Sequence, residues 1–292
     1  MTSPIPANIR QLRRQELDTV IGWAADEGWN PGLADAAAFW ATDPEGFYAI
    51  DVDGELIGSA SVVVYDEDHA FAGFFIVRPQ WRGRSVGGGA AEQLLGLASE
   101  RLGPNATVGI DGVFAMQPYY LTLGFTFLHR NLRMAGIGRA IPAAEAEGAA
   151  RLVPASSLAF EDVVDFDAAH FGSHRPAFLR KWLDPAGGIA VAAVDHGEIR
   201  GLGVVRPCRE GYKIGPLFAA SPDLAETIFT RLSGHAIDQP LFLDIPECNP
   251  AAVALAQEHE LSESFGCARM YRGPVPSLPW QHIFGVTTFE LG

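Results

Sequence analysis

The stretch VRPQWRGRSVGGGAAEQLL, Val77 to Leu95, sets Arg82 and Arg84 among the small residues Gly83, Ser85, Gly87 and Gly88, with Val86 between them. The apolar run AFAGFFIV, Ala70 to Val77, leads into it, and AAEQLLGLASERL behind it has apolar residues at helical spacing. The glycines therefore fall at a strand-to-helix transition. The start of a helix leaves backbone N–H groups unpaired at the positive end of its dipole, small residues let an anion reach them, and guanidinium groups add paired hydrogen bonds. The spacing predicts a phosphate cradle over residues 82–88. It is neither of two common phosphate loops: G-x-x-x-x-G-K-[ST] is absent, and no G-x-G-x-x-G lies in the strand–loop–helix context that a dinucleotide requires.

The elements that hold this loop come from a repeat. FYAIDVDGELIGSASVVV, Phe47 to Val64, alternates apolar residues around Asp53-Gly54, and IAVAAVDHGEIRGLGVV, Ile189 to Val205, does so around His196-Gly197; both read as β-hairpins. Gly54, Glu55, Gly58 and Pro79 are matched by Gly197, Glu198, Gly201 and Pro222, each pair 143 residues apart. Asp111 in GIDGV is echoed by Asp244 in FLDIP, and Gly124 to Met134 by Glu260 to Met270, both ending in Arg-Met. We read two copies of one α/β (α+β) unit, each a mixed, mostly antiparallel sheet flanked by helices. Each copy is a strand, one or two helices, three meandering strands, a helix, a strand, a short helix and a closing pair of strands. The expected domains are 1–141 and 151–292, joined by the small, polar linker 142–150.

Composition narrows the partners. A net charge of −14, with neither half basic, argues against nucleic acid and favours a cationic partner such as an amine. No apolar run approaches the roughly 20 residues that cross a bilayer, and the N-terminus lacks a signal-peptide pattern, so no membrane partner is expected. Cys208, Cys248 and Cys267 have neither disulfide nor metal spacing, and the expectation is a reduced, cytoplasmic chain without a metal. Monomer and homodimer both remain open.

With Val77-Arg78-Pro79 ahead of it, the 82–88 loop resembles the acetyl-CoA loop of the GCN5-related N-acetyltransferases (GNAT), with Ser85 where the family pattern has its first glycine. YLTLGF, with Tyr120 ahead of Gly124 and Phe125, is similar to the family segment whose tyrosine hydroxyl faces the departing CoA sulfur. The resemblance implies acetyl-CoA as cosubstrate, bound by Arg82, Gly83, Arg84, Ser85, Val86, Gly87 and Gly88. It also implies that Ile76 and Val77 offer backbone groups to the pantetheine arm where two strands splay. An asparagine often found seven residues before the tyrosine is Val113 here. The second copy keeps Asn249 there but has Ala256 at the tyrosine position, and it lacks the arginine-glycine loop, so the first copy is expected to hold the site and the second to be degenerate.

Acetyl transfer to an amine needs a neutral nitrogen, a polarised thioester carbonyl and a proton for the thiolate. Tyr120 is the candidate proton donor, and Asp111 and Glu27 are the candidate bases. Asp26, Glu27 and Trp29, in DEGWNPG, lie in the region that lines the acceptor pocket in this family. Trp23, Trp29, Phe39 and Trp40 make that segment aromatic enough to wall an organic cation. Arg175, Arg180 and Arg206 either meet an acidic group on the substrate or pair with carboxylates between the copies, and His69, His129 and His170 share no metal or triad spacing. The tail WQHIFGVTTFELG alternates apolar residues and is expected to add a strand. The leading function is an N-acetyltransferase of a small primary amine, by direct attack through a tetrahedral intermediate. Its alternatives are a non-catalytic acyl-CoA-binding regulatory module and an acetyltransferase of a protein or peptide amine.

Overall fold

The computed structural model describes residues 7–83, 89–140 and 150–292. In the first repeat these are β1 (Asn8–Gln11), α1 (Arg14–Asp26), α2 (Asp35–Thr42), β2 (Phe47–Val52), β3 (Glu55–Asp66), β4 (His69–Val77), α3 (Ala90–Ser99), β5 (Thr107–Val113), α4 (Gln117–Thr122) and β6 (Thr126–Ile137). The second repeat gives β7 (Arg151–Pro154), α5 (Phe160–Phe171), α6 (Pro176–Trp182), β8 (Ile189–Asp195), β9 (Glu198–Pro207), β10 (Tyr212–Ala219), α7 (Pro222–Ser233), β11 (Pro240–Pro246), α8 (Pro250–Glu258), β12 (Ser262–Arg272) and β13 (Ile283–Gly285).

The repeat seen in the letters is built into the backbone. Asp53 and Gly54 turn the first hairpin with φ of 51° and 82°, and His196 and Gly197 turn the second with 48° and 86°. Two successive left-handed residues match the twist of the strands they join. Each hairpin slips register at the same place, between Ile50 and Asp51 and between Ala193 and Val194. All six residues of β2 are buried, so the sheet is covered on both faces there.

The closing pair of strands expected in each repeat is a single strand instead. Residues 126–137 and 262–272 contain no turn signal and run straight through. Each finds its partners in the other repeat. The thirteen strands form one sheet in the order β1-β2-β3-β4-β5-β12-β6-β11-β10-β9-β8-β7, with β13 beside β10. Thus β12 pairs with β5 of the first repeat, β6 pairs with β11 of the second, and β6 and β12 pair with each other. Asn131 and Cys267, equivalent positions of the two repeats, face one another, so an approximate twofold passes between the closing strands. Only β4–β5 and β10–β11 among these pairs are parallel.

The exchange is fastened by charge. Arg269 of β12 forks onto Asp111 of β5 at 2.8 and 2.6 Å, and Arg133 of β6 forks onto Asp244 of β11 at 2.7 and 2.7 Å. A third buried fork, Arg206 to Asp35 at 2.8 and 3.0 Å, also crosses between repeats. Arg175 instead pairs within its own repeat, with Asp167, and Arg180 lies over the ring of Phe160. Apolar packing joins the same parts: Phe39 of α2 stacks on Trp182 of α6, with centroids 6.1 Å apart, in a core that includes Leu17, Phe47, Phe74 and Phe178.

The tail continues well past its short strand. Residues 283–292 are all buried, and Ile283, Phe284, Val286, Phe289 and Leu291 each contribute about 1.5–3 kcal/mol of apolar burial. Among the described residues no helix is long and apolar enough to cross a membrane.

Candidate active site

The site forms where β4 and β5 part. Their parallel pairing ends at Ala72 opposite Ile110, after which β5 pairs with β12 alone. The break coincides with a bulge: β4 slips against β3 between Ser59 and Ser61, and Phe74 takes a φ of 48°, with its carbonyl held by the Ser59 hydroxyl at 2.9 Å. A left-handed phenylalanine is strained, and here three rings hold it, those of Trp29, Phe39 and Phe47.

Between the parted strands lies a cavity of about 60 Å³, room for a few water-sized groups. Trp29, Phe74, Phe75, Tyr120, Phe265 and Phe289 give it aromatic walls, and Asp111, Cys267 and Glu290 add polar groups. An apolar cleft of about 40 Å³ beside it, under α3, is lined by Leu94, Leu95, Ile110 and Phe125. Tyr120 and Gly73 border both spaces. The Ser61 hydroxyl on the cleft side is buried with no hydrogen-bond partner among the described residues.

Two glycines make the arrangement possible. A Cβ on Gly112 would sit 2.3 Å from the Tyr120 ring, so the ring packs directly against β5. A Cβ on Gly73 would sit 2.2 Å from the Glu290 carbonyl, so the tail crosses directly over β4. The tail is anchored on either side, by Arg175 to the Thr287 hydroxyl at 2.8 Å and by the Tyr65 hydroxyl to the Leu291 carbonyl at 2.6 Å.

Of the residues read from sequence, the fold brings Trp29, Asp111 and Tyr120 around this cavity. Burial pushes the Tyr120 phenol up to about 12, so it is a proton donor at neutral pH. Burial likewise pushes the Asp111 carboxyl up, against the opposing pull of Arg269 and of the Asn131 amide at 2.8 Å. These bonds fill three of its roughly four acceptor positions. The Trp29 carbonyl accepts from Arg133 at 2.5 Å and Lys213 at 3.3 Å, which fixes the segment after α1.

Glu27 and Asp26 are placed elsewhere. Both are exposed at the end of α1, away from the cavity lining, and Glu27 pairs with Arg82. Arg82 also donates to the Val77 carbonyl at 2.8 Å. Because Arg78 N–H bonds Ile57, alternation along β4 turns the Ile76 amide toward β3 and the Val77 amide away from it. Gly83 follows with a φ of 70°; Arg84, Ser85, Val86, Gly87 and Gly88 lie outside the described residues. Beyond them Gly89 is the N-cap residue of α3, and no side chain caps its first amides among the described residues. Of the four aromatics in the acceptor segment, only Trp29 reaches the cavity; Phe39 is core, Trp40 stacks on Phe47, and Trp23 packs against the same core.

Phe265, Cys267, Phe289 and Glu290 were not foreseen at the site. All belong to the second repeat, and they reach the cavity through the exchange of β12 and the path of the tail. The alternating tail was legible as a strand, and Ile283–Gly285 within it do pair with β10. Nothing in the letters said that the following residues cross to the other copy.

The first repeat matches the acetyltransferase (GNAT) family over residues 9–125, and the second matches an acetyltransferase (GNAT) domain over residues 163–285. Holothin acyltransferase of Pseudoalteromonas sp. (strain SANK 73390) is 28% identical over 279 residues, 95% of this chain and 92% of that one. A solved protein from Pyrococcus horikoshii shares the fold with a TM-score of 0.81 at 22% identity, over 98% of this chain and 96% of that one. A tandem GNAT protein from the clavulanic acid biosynthesis pathway shares it at 0.63 and 13% identity, over 93% and 100%. The chain belongs to the GNAT acetyltransferase family and carries two of its domains in tandem.

Proposed function

We propose that the first repeat transfers an acetyl group from acetyl-CoA to the primary amine of a small molecule, and that the second repeat serves as scaffold. One observation carries this reading: the strand splay of the first repeat opens into a cavity and a cleft that meet at Tyr120. The pantetheine arm would run through the cleft under α3, with its pyrophosphate at the start of that helix near Arg82. The outward Val77 amide is the donor for the thioester carbonyl, and the amine enters from the aromatic cavity.

In the reaction the amine lone pair forms the C–N bond, and the C–S pair leaves on sulfur. A phenol held near 12 gives its proton to a thiolate, about 8.5 for an ordinary thiol, only if that proton is replaced at once. We assign the replacement to the proton shed by the new amide nitrogen, so Tyr120 relays a proton from nitrogen to sulfur. A small acceptor is favoured because the tail residues Phe289 and Glu290 wall one side of the cavity. Incubation of the full chain with acetyl-CoA and a panel of amines, with detection of released thiol, tests the reading. Release with small amines supports it; release with peptides alone, or binding of acetyl-CoA without turnover, would replace it.

A further inference from the structure

We infer that Glu290, delivered by the tail of the second repeat, is the residue that receives the acceptor's ammonium group, and that the acceptor is a primary amine on a flat apolar body. This rests on the transfer reading above and deepens it. Glu290 is 3% exposed and lines the cavity, and its Oε1 has no hydrogen-bond partner among the described residues. The other oxygen accepts from the Thr288 hydroxyl, and the Glu290 amide donates back to that hydroxyl at 3.0 Å, which fixes the side chain's base. A buried carboxylate oxygen without a donor costs free energy, so the site is arranged for a donor that arrives with the ligand.

Arg133, Arg206 and Lys213 lie near enough for the Glu290 charge to act on each of them, but none hydrogen-bonds it among the described residues. Asp244 and Asp35 take the forks of Arg133 and Arg206, and Asp111 takes that of Arg269. Lys213 hydrogen-bonds the Trp29 carbonyl and forms no ion pair among the described residues. The remaining titratable groups on the cavity wall, Tyr120 and Cys267, are both pushed up by burial and stay protonated at neutral pH. Around the free carboxylate stand Trp29, Phe74, Phe75, Phe265 and Phe289, whose faces suit a planar apolar group with a cation at one end. In the step itself the ammonium passes one proton to Glu290, the neutral amine attacks, the second nitrogen proton reaches sulfur through Tyr120, and Glu290 returns its proton to water. The sum is one amide, one thiol and one released proton.

Benzylamine, spermidine and the variants Glu290→Gln and Glu290→Asp test this, with acetyl-CoA binding measured on each chain by calorimetry as a check of folding and of the donor site. Expected are acetylation of benzylamine in preference to spermidine, and a loss in Glu290→Gln of about 100-fold in kcat/KM at neutral pH with the Kd for acetyl-CoA unchanged. Partial activity in Glu290→Asp is also expected. The Glu290→Gln deficit should shrink above about pH 10, where an alkyl amine is itself largely neutral; a merely structural role would give a loss independent of pH. Full activity in Glu290→Gln, a pH-independent loss, or a preference for spermidine would overturn the inference while leaving the transferase standing. Failure of the native chain to bind acetyl-CoA would overturn both.

Discussion

The segment after β4 and the segment after β10 start from equivalent strands and end differently. In the first repeat residues 78–89 separate β4 from α3, and no side chain caps the first turn of that helix among the described residues. In the second, only Ala220 and Ser221 separate β10 from α7, and the Ser221 hydroxyl caps that helix by accepting from Leu224 N–H at 3.3 Å. The splays differ in the same sense. Beyond Ala72 the first is open, whereas in the second β13 lies against Leu217 and Phe218 and Val286 N–H bonds the Asp244 carbonyl at 2.8 Å. The second repeat thus satisfies its helix start and its splay from within, where the described residues of the first repeat do not. Its tail fills one splay and goes on to wall the other, so a copy without the donor loop still shapes the site.

The reciprocal forks bound how far the two halves can be told apart. Arg133→Ala and Arg269→Ala each strand a buried aspartate and should cost about 3–5 kcal/mol, read as a fall in the urea midpoint. Comparable losses would make the strand exchange symmetric in energy as well as in form; a loss from only one would break that symmetry. Tyr120→Phe, which alters a position the second repeat fills with Ala256, should lower kcat about 100-fold and leave acetyl-CoA affinity alone. A change confined to Kd would assign Tyr120 to binding.

Protons report on the seam between the copies. Burial holds His69, which bonds Ser173 of the second repeat at 2.7 Å, down to about 4, and holds His129 of the exchanged strand down to about 3. An unfolded histidine titrates near 6.5. As pH falls from there toward 4 the unfolded chain takes up protons that the folded chain refuses, so stability should drop by up to about 1.4 kcal/mol per pH unit for each. Above 6.5 neither adds a slope. Urea midpoints at pH 7 and pH 5, with and without His69→Asn, check this. Arg82→Ala should weaken acetyl-CoA about tenfold, because one charged donor to the pyrophosphate is lost. Glu27→Gln, which breaks only an exposed pair, should change affinity by less than about fivefold.

What was legible follows from what is local. The hairpin turns, the strand before the loop, the helix after it and the Tyr120 helix are set by neighbours in sequence, and the residues showed them. The echo of Asp111 by Asp244 and of Arg133 by Arg269 was visible too, but pairing each arginine with the other copy's aspartate needs the closing strands to cross, and no spacing encodes a crossing. Asp111, read from its own strand, lines the cavity, and Glu27, read from the segment that holds it, does not; the second carboxyl group on the wall, Glu290, comes from far along the chain, where no local pattern marks it.

Calorimetric titration of acetyl-CoA into the full chain tests the central asymmetry most directly. The account predicts one site per chain, lodged in the first repeat; two sites, or none, would contradict it.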